Sequence, residues 1–155
     1  LAAKAAGVRE AGVTLRIGET RQKWANVLFT YLGARETGDQ WLLTATGYHE
    51  NTGMIWKDDA KSSVGRDWGS GPPLVEPVPL RLTFSRPETG TRDGLSTGDV
   101  KLYTLNEQAE PDRLVTDAVR SVTGGAAIDL MNQPPGLWYL VEFARDSDVM
   151  KFMGY

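Results

Sequence analysis

His49 is the only histidine of the chain, and there is no cysteine. It stands in Tyr48-His49-Glu50-Asn51, at a predicted hairpin end. Imidazole titrates near neutrality and ligates metals, so His49 with Glu50 forms the candidate metal pair, or His49 a general base. One imidazole without thiolates is a poor basis for a closed zinc, nickel or copper site. The favoured reading of His49 is therefore an exposed turn residue. A Ser-His-Asp triad would have to run through it, and no G-x-S-x-G elbow exists. Asp58, Asp59, Asp67, Asp93 and Asp99 sit in polar loops without the spacing of a calcium-binding loop, and read as solvated turns. No G-x-x-x-x-G-K-[ST] cradle is present. No catalytic residue and no cofactor is assigned, and the protein is expected not to be an enzyme.

Aromatic side chains are the other chemical resource. The chain has five tryptophans: Trp24, Trp41, Trp56, Trp68 and Trp138. A β-sandwich core accounts for two or three of them. Trp68 lies in the polar stretch Arg66-Asp67-Trp68-Gly69-Ser70. It is either a plug folded onto the sheet or a contact residue, because exposed Trp buries much area while keeping a polar handle. Tyr48, Trp56, Trp68 and Trp138 are the candidate ligand- or partner-binding residues.

The elements that must position these side chains are strands. In residues 113–144, Ala126, Ile128 and Leu130 alternate with Ala127 and Asp129. After Asn132-Gln133-Pro134-Pro135-Gly136, residues Leu137, Tyr139, Val141 and Phe143 alternate with Trp138, Leu140, Glu142 and Ala144. A period of two between Gly/Pro/Asn turns is the mark of antiparallel strands. Strands are also read at 13–17, 41–48, 78–84 and 99–105, with Met54–Trp56 returning from a turn at Asn51-Thr52-Gly53. Residues 19–36 fit a helical face and a strand face alike. Their aromatic and β-branched content favours strand, with a short helix as the alternative. Residues 1–11 read as a frayed leader or a short helical turn, and 145–155 as a terminal strand or docking tail. The fold class is all-β: an antiparallel β-sandwich, immunoglobulin-like in its strand and turn spacing, or a barrel.

The 155 residues suffice for one domain, 1–155. The alternative division is two sub-lobes, 12–57 and 77–155, joined by the polar loop 58–76. A net charge of −3 without a basic stripe argues against nucleic acid. No apolar run is long enough for a membrane-spanning helix. The start LAAKAAG reads either as the stub of a removed leader or as a trimmed end.

Several short segments share a pattern with a known group. VPLRLTF is followed by Val100-Lys101-Leu102-Tyr103, then Val115-Thr116-Asp117-Ala118, then Ala126-Ala127-Ile128-Asp129-Leu130, then Pro135-Gly136-Leu137-Trp138-Tyr139-Leu140. Over about residues 77–144 this resembles the prealbumin-like, carboxypeptidase-regulatory-like β-sandwich of bacterial envelope proteins. The similarity is greatest to the periplasmic domains associated with nickel uptake. In such domains the Thr-Asp pair begins a turn and Pro-Gly sets a corner. Asp117 can bond the turn backbone, and Gly136 is expected to supply a positive φ. The chain departs from the group in the longer loop between Asp117 and Gly124 and in lacking a His-rich start. These departures put metal transport in doubt and leave only the fold implied; the expected location is periplasmic or secreted.

These readings converge on a non-enzymatic envelope or secreted sandwich that works by protein binding or self-association. Its expected surface is the 57–77 loop with Trp56 and Trp68, plus the outward face of the last strand with Trp138. Were that strand an edge, a partner strand could add to it. One alternative is a glycan- or small-ligand-binding module stacking on Tyr48, Trp56 and Trp68. The other is a periplasmic metal-handling domain using His49 and Glu50.

Overall fold

Period-two alternation is realised throughout the computed structural model, which describes residues 7–10, 13–20, 24–48, 53–59, 69, 75–85, 96–133 and 136–144. The strands are β1 (Gly7–Glu10), β2 (Val13–Ile17), β3 (Trp24–Ala34), β4 (Gly38–Tyr48), β5 (Val75–Pro77) and β6 (Leu80–Ser85). They continue as β7 (Val100–Leu105), β8 (Pro111–Leu114), β9 (Val119–Val122), β10 (Gly125–Asp129) and β11 (Trp138–Ala144). Two 3-10 turns, Thr97–Asp99 and Thr116–Ala118, are the only helical pieces among the described residues.

All pairings are antiparallel and form two sheets. The smaller has five strands in the order β1-β2-β6-β10-β9. The larger has six, running β3-β4-β11-β7-β8 with β5 on β4. Both sheets draw strands from each side of the 58–76 segment. The chain is an all-β antiparallel sandwich. No helix of the described residues is long and apolar enough to cross a membrane.

One face of each sheet makes the core. From the smaller sheet come Leu80, Leu82, Phe84, Ala126 and Ile128, with Val13, Leu15 and Ile17 packed at the side. From the larger come Trp41, Leu43, Ala45, Val100, Leu102, Tyr139, Val141 and Phe143. Aromatic contacts tie the layers. Phe84 meets Phe143 edge-on with ring centroids 5.1 Å apart and Phe29 at 5.9 Å, while Phe29 stacks on Trp41 within the larger sheet at 4.7 Å. Such pairs add roughly 0.5–1.5 kcal/mol beyond the area they bury.

Several sequence expectations are corrected. Gly7–Glu10, from the stretch read as frayed or helical, is a strand with Glu10 opposite Val13. Residues 24–34, by contrast, are strand as their aromatic and β-branched content favours: Val27 and Phe29 pack on the core while Leu28 points away. Met54–Trp56 is no return strand, carrying only an isolated bridge at Trp56. The flanks of β4 are taken by β3 and β11 instead. The stretch Asp117–Gly124 is not merely a loop, since Val119–Val122 pairs with β10 across a turn at Gly124. The last strand is not an edge: β11 sits between β4 and β7. Gly136 does not supply a positive φ. Its lack of a side chain is needed for space, because a Cβ there would stand 2.6 Å from the Tyr139 hydroxyl.

Candidate functional site

Strand β11 carries apolar side chains on both faces. Tyr139, Val141 and Phe143 fill the core, while Trp138, Leu140 and Glu142 face outward. A sheet with one solvated face shows apolar-polar alternation, and a strand apolar on both faces is usually covered on both. The outer surface of the larger sheet is therefore the part of the molecule to read for function.

Register lays that surface out in rows across the strands. In the middle row Thr30 faces Leu42, Leu42 faces Leu140, Leu140 faces Tyr103, and Tyr103 faces Leu114. Five strands at ~4.8 Å spacing make this row about 19 Å long. On one side lies the row Leu28, Thr44, Trp138. Trp138 is 38% exposed and Leu114 45%, whereas Leu140 between them is only 7% exposed. Beside Leu114 and Lys101 a cleft of about 310 Å³ opens, also lined by Thr97, Val115, Thr116 and Val119.

On the other side the row is polar and centred on Glu142, which faces Gln40 and Lys101. Its carboxylate is almost fully buried, yet its oxygens are satisfied. Thr37 Oγ1 donates to Oε2 at 2.9 Å and Gln40 Nε2 at 3.2 Å, while Lys101 Nζ lies 3.5 Å from Oε1. A carboxylate with this many partners is a fixed polar boundary to the apolar rows. On the opposite, core-side face of the same strand ends, the Tyr31 hydroxyl donates to Asp39 Oδ1 at 3.0 Å. Loss of water around the ring, then the Asp39 carboxylate, raises the Tyr31 pKa above the ordinary phenol value.

The outer surface of the smaller sheet is built differently. Arg16 faces Arg81, and Arg81 faces Asp129. Both Nε and Nη2 of Arg81 donate to Asp129 Oδ2, Arg120 Nε lies 3.6 Å from the same oxygen, and the Met131 N–H donates to Oδ1 at 3.2 Å. Burial pushes the Asp129 carboxyl up, but the guanidinium of Arg81, the Met131 amide and the charge of Arg120 outweigh it. The group is held below the usual carboxylate range.

The sequence-derived site residues fall in different places. Trp138 opens β11 and faces outward as expected. Tyr48 ends β4, opposite Trp24 and Val75. It is four residues beyond the Thr44 that faces Trp138, a backbone separation of about 13 Å along the strand. Trp56 is half-buried after the Gly53 turn. His49, Glu50 and Trp68 lie outside the described residues. Asp99 is engaged locally, accepting from the backbone N–H and hydroxyl of Ser96 at 2.8 and 2.7 Å. Among the described residues, no three His, Cys, Asp or Glu side chains converge on a common point. The aromatic residues of the sequence mark Trp138 but not Leu28, Leu42, Tyr103, Leu114 and Leu140 around it. The available signal was the doubled apolar character of Leu42-Leu43 and of Leu137 to Val141. No family model, curated protein or solved structure matches this chain.

Proposed function

We propose that this chain is a non-enzymatic binding and assembly module whose working surface is the outer face of the larger sheet, engaging a protein partner of apolar surface. The observation that carries the reading is the row Leu42, Leu140, Tyr103 and Leu114 beside Trp138, bounded by the satisfied Glu142. A contiguous apolar face rimmed by polar groups marks an interaction surface. Flat aliphatic rows suit a protein better than a sugar, which stacks on aromatic platforms. The setting in a bacterial envelope or secreted context is part of the proposal and draws on the resemblance of residues 77–144.

Two titrations of the wild type and Trp138→Lys separate protein from carbohydrate. The apolar dye bis-ANS should bind the wild type, and the substitution should weaken binding by about fivefold or more. Soluble glycans should leave tryptophan emission unchanged. Saturable quenching by a glycan, lost in Trp138→Lys, would overturn the protein reading in favour of a carbohydrate-binding module.

A further inference from the structure

The edges of the two sheets are guarded unequally. In the larger sheet β8 is four residues long and contains Pro111, Asp112 and Arg113. In the smaller sheet β9 is equally short and carries Arg120, and β1 reads Gly-Val-Arg-Glu. Short strands, proline and charge are the usual means of keeping an edge from pairing with another chain. Strand β3 has none of them. It runs for 11 residues, WANVLFTYLGA, without a charge or a proline, and among the described strands it pairs with β4 alone. The one guarding feature it does carry is a bulge between Tyr31 and Gly33, which leaves Leu32 without a partner on β4 and Leu28 to Tyr31 in regular register. Leu28, Tyr31 and Leu32 are 52%, 42% and 45% exposed.

The order of residues on this edge says what fits it. Leu28-Phe29-Thr30-Tyr31-Leu32 reads the same in chemical type from either end. A two-fold contact places the same patch on both partners and so demands self-complementarity. Antiparallel pairing of two such strands about Thr30 sets Thr30 against Thr30, Phe29 against Tyr31 and Leu28 against Leu32. Hydroxyl, aromatic and aliphatic pairs of this kind are the favoured cross-strand combinations. The aromatic pair falls on the core side, where Phe29 and Tyr31 already contact Trp41. Leu28 lies on the outer side, level with the apolar rows, and Leu32 is the exposed residue that the bulge leaves unpaired on β4.

We infer that β3 is a self-pairing edge: it takes the β3 of a second copy of this chain, antiparallel and centred on Thr30, and joins two larger sheets into one. This names the partner within the assembly reading and rests on it. The joined sheet presents the two apolar outer faces side by side.

Sedimentation velocity from about 1 to 200 µM tests it, the range in which a modest interface assembles. The wild type should form a discrete dimer. Thr30→Lys and Thr30→Glu each place like charges across the axis and should each weaken the dimer by at least about tenfold. An equimolar mixture of the two variants should restore a dimer, because the charges then oppose. Thr30→Ser should stay dimeric, and circular dichroism should report one fold for all. A monomeric wild type, or a dimer that Thr30→Lys leaves intact, overturns the inference. So does a mixture that stays monomeric. A dimer that ignores Thr30→Lys but dissociates in Trp138→Lys would reject the β3 edge while supporting the outer face, so the two failures are distinct.

Discussion

The two outer faces of this sandwich share one core and differ in almost everything else. On the smaller sheet, Thr14, Arg16, Arg81, Thr83 and Arg120 surround the single carboxylate of Asp129. Its strands β2 and β6 alternate apolar and polar residues, as strands with one wet face do, while β10 turns the buried Ala127 and Asp129 outward. On the larger sheet, Leu28, Leu42, Leu114, Trp138 and Leu140 stand where water would be expected. Each face also holds one buried carboxylate, and the partners differ in kind. Asp129 is held by two guanidinium groups and an amide, Glu142 by a hydroxyl, a side-chain amide and an ammonium. The comparison teaches that folding requires only one apolar face per sheet. A second one, on the sheet that also carries β3, exceeds that requirement, and it is the surface we propose for contact, with Leu28, Leu114 and Trp138 exposed and Leu140 buried.

Substitutions can break or sharpen this contrast, and they rank by expected effect. Phe143→Ala strikes the core common to both faces, where the ring is fully buried against Phe84 and Phe29. It should cost about 3–5 kcal/mol in urea unfolding. Gly38→Ala should follow at about 2–3 kcal/mol, because an added Cβ meets the Phe143 carbonyl oxygen and the strands must part. Its readout is the same unfolding midpoint.

Asp129→Asn should cost about 1–2 kcal/mol, since it uncouples the arginine ladder at a buried carboxylate. Its sign with pH is fixed. The folded carboxyl titrates below its ordinary value, so its contribution is complete above the unfolded value and fades as pH falls through the folded one. The gap between wild type and variant should be full above about pH 5 and close below about pH 4. A gap that widened in acid would contradict the assigned network.

Trp138→Lys should change stability by less than about 1 kcal/mol while altering dye binding, because the lost contacts lie outside the core. Arg120→Ala should stay within about 0.5 kcal/mol, its guanidinium being exposed and the longer-range member of the ladder. Equal losses from Trp138→Lys and Phe143→Ala would dissolve the distinction between face and core.

The fold was legible where local pattern and burial agree. The alternations in Ala126–Leu130 and Tyr139–Phe143 place these residues in the core as read. The aromatic and β-branched content of 24–34 correctly favoured strand over helix. Val119–Val122 was hidden because four residues between two turn signals carry too little period to separate strand from loop. The central place of β11 was hidden for another reason. Its partners, residues 38–44 and 100–104, are distant in sequence, and pairing across such distances leaves no local trace. The same holds for the site. That Trp138 faces outward follows from alternation alone, but the leucines beside it come from β4, β7 and β8 and require the register. His49, Glu50 and Trp68 fall outside the described residues.

The most direct test of the central claim is bis-ANS titration of two single-lysine variants, Trp138→Lys on the larger sheet and Thr83→Lys on the smaller. Both sit on outer faces, so charge is added equally and only the face differs. Dye affinity should fall by about fivefold or more in Trp138→Lys and stay unchanged in Thr83→Lys. Equal affinity in both variants, or loss in Thr83→Lys alone, would contradict it.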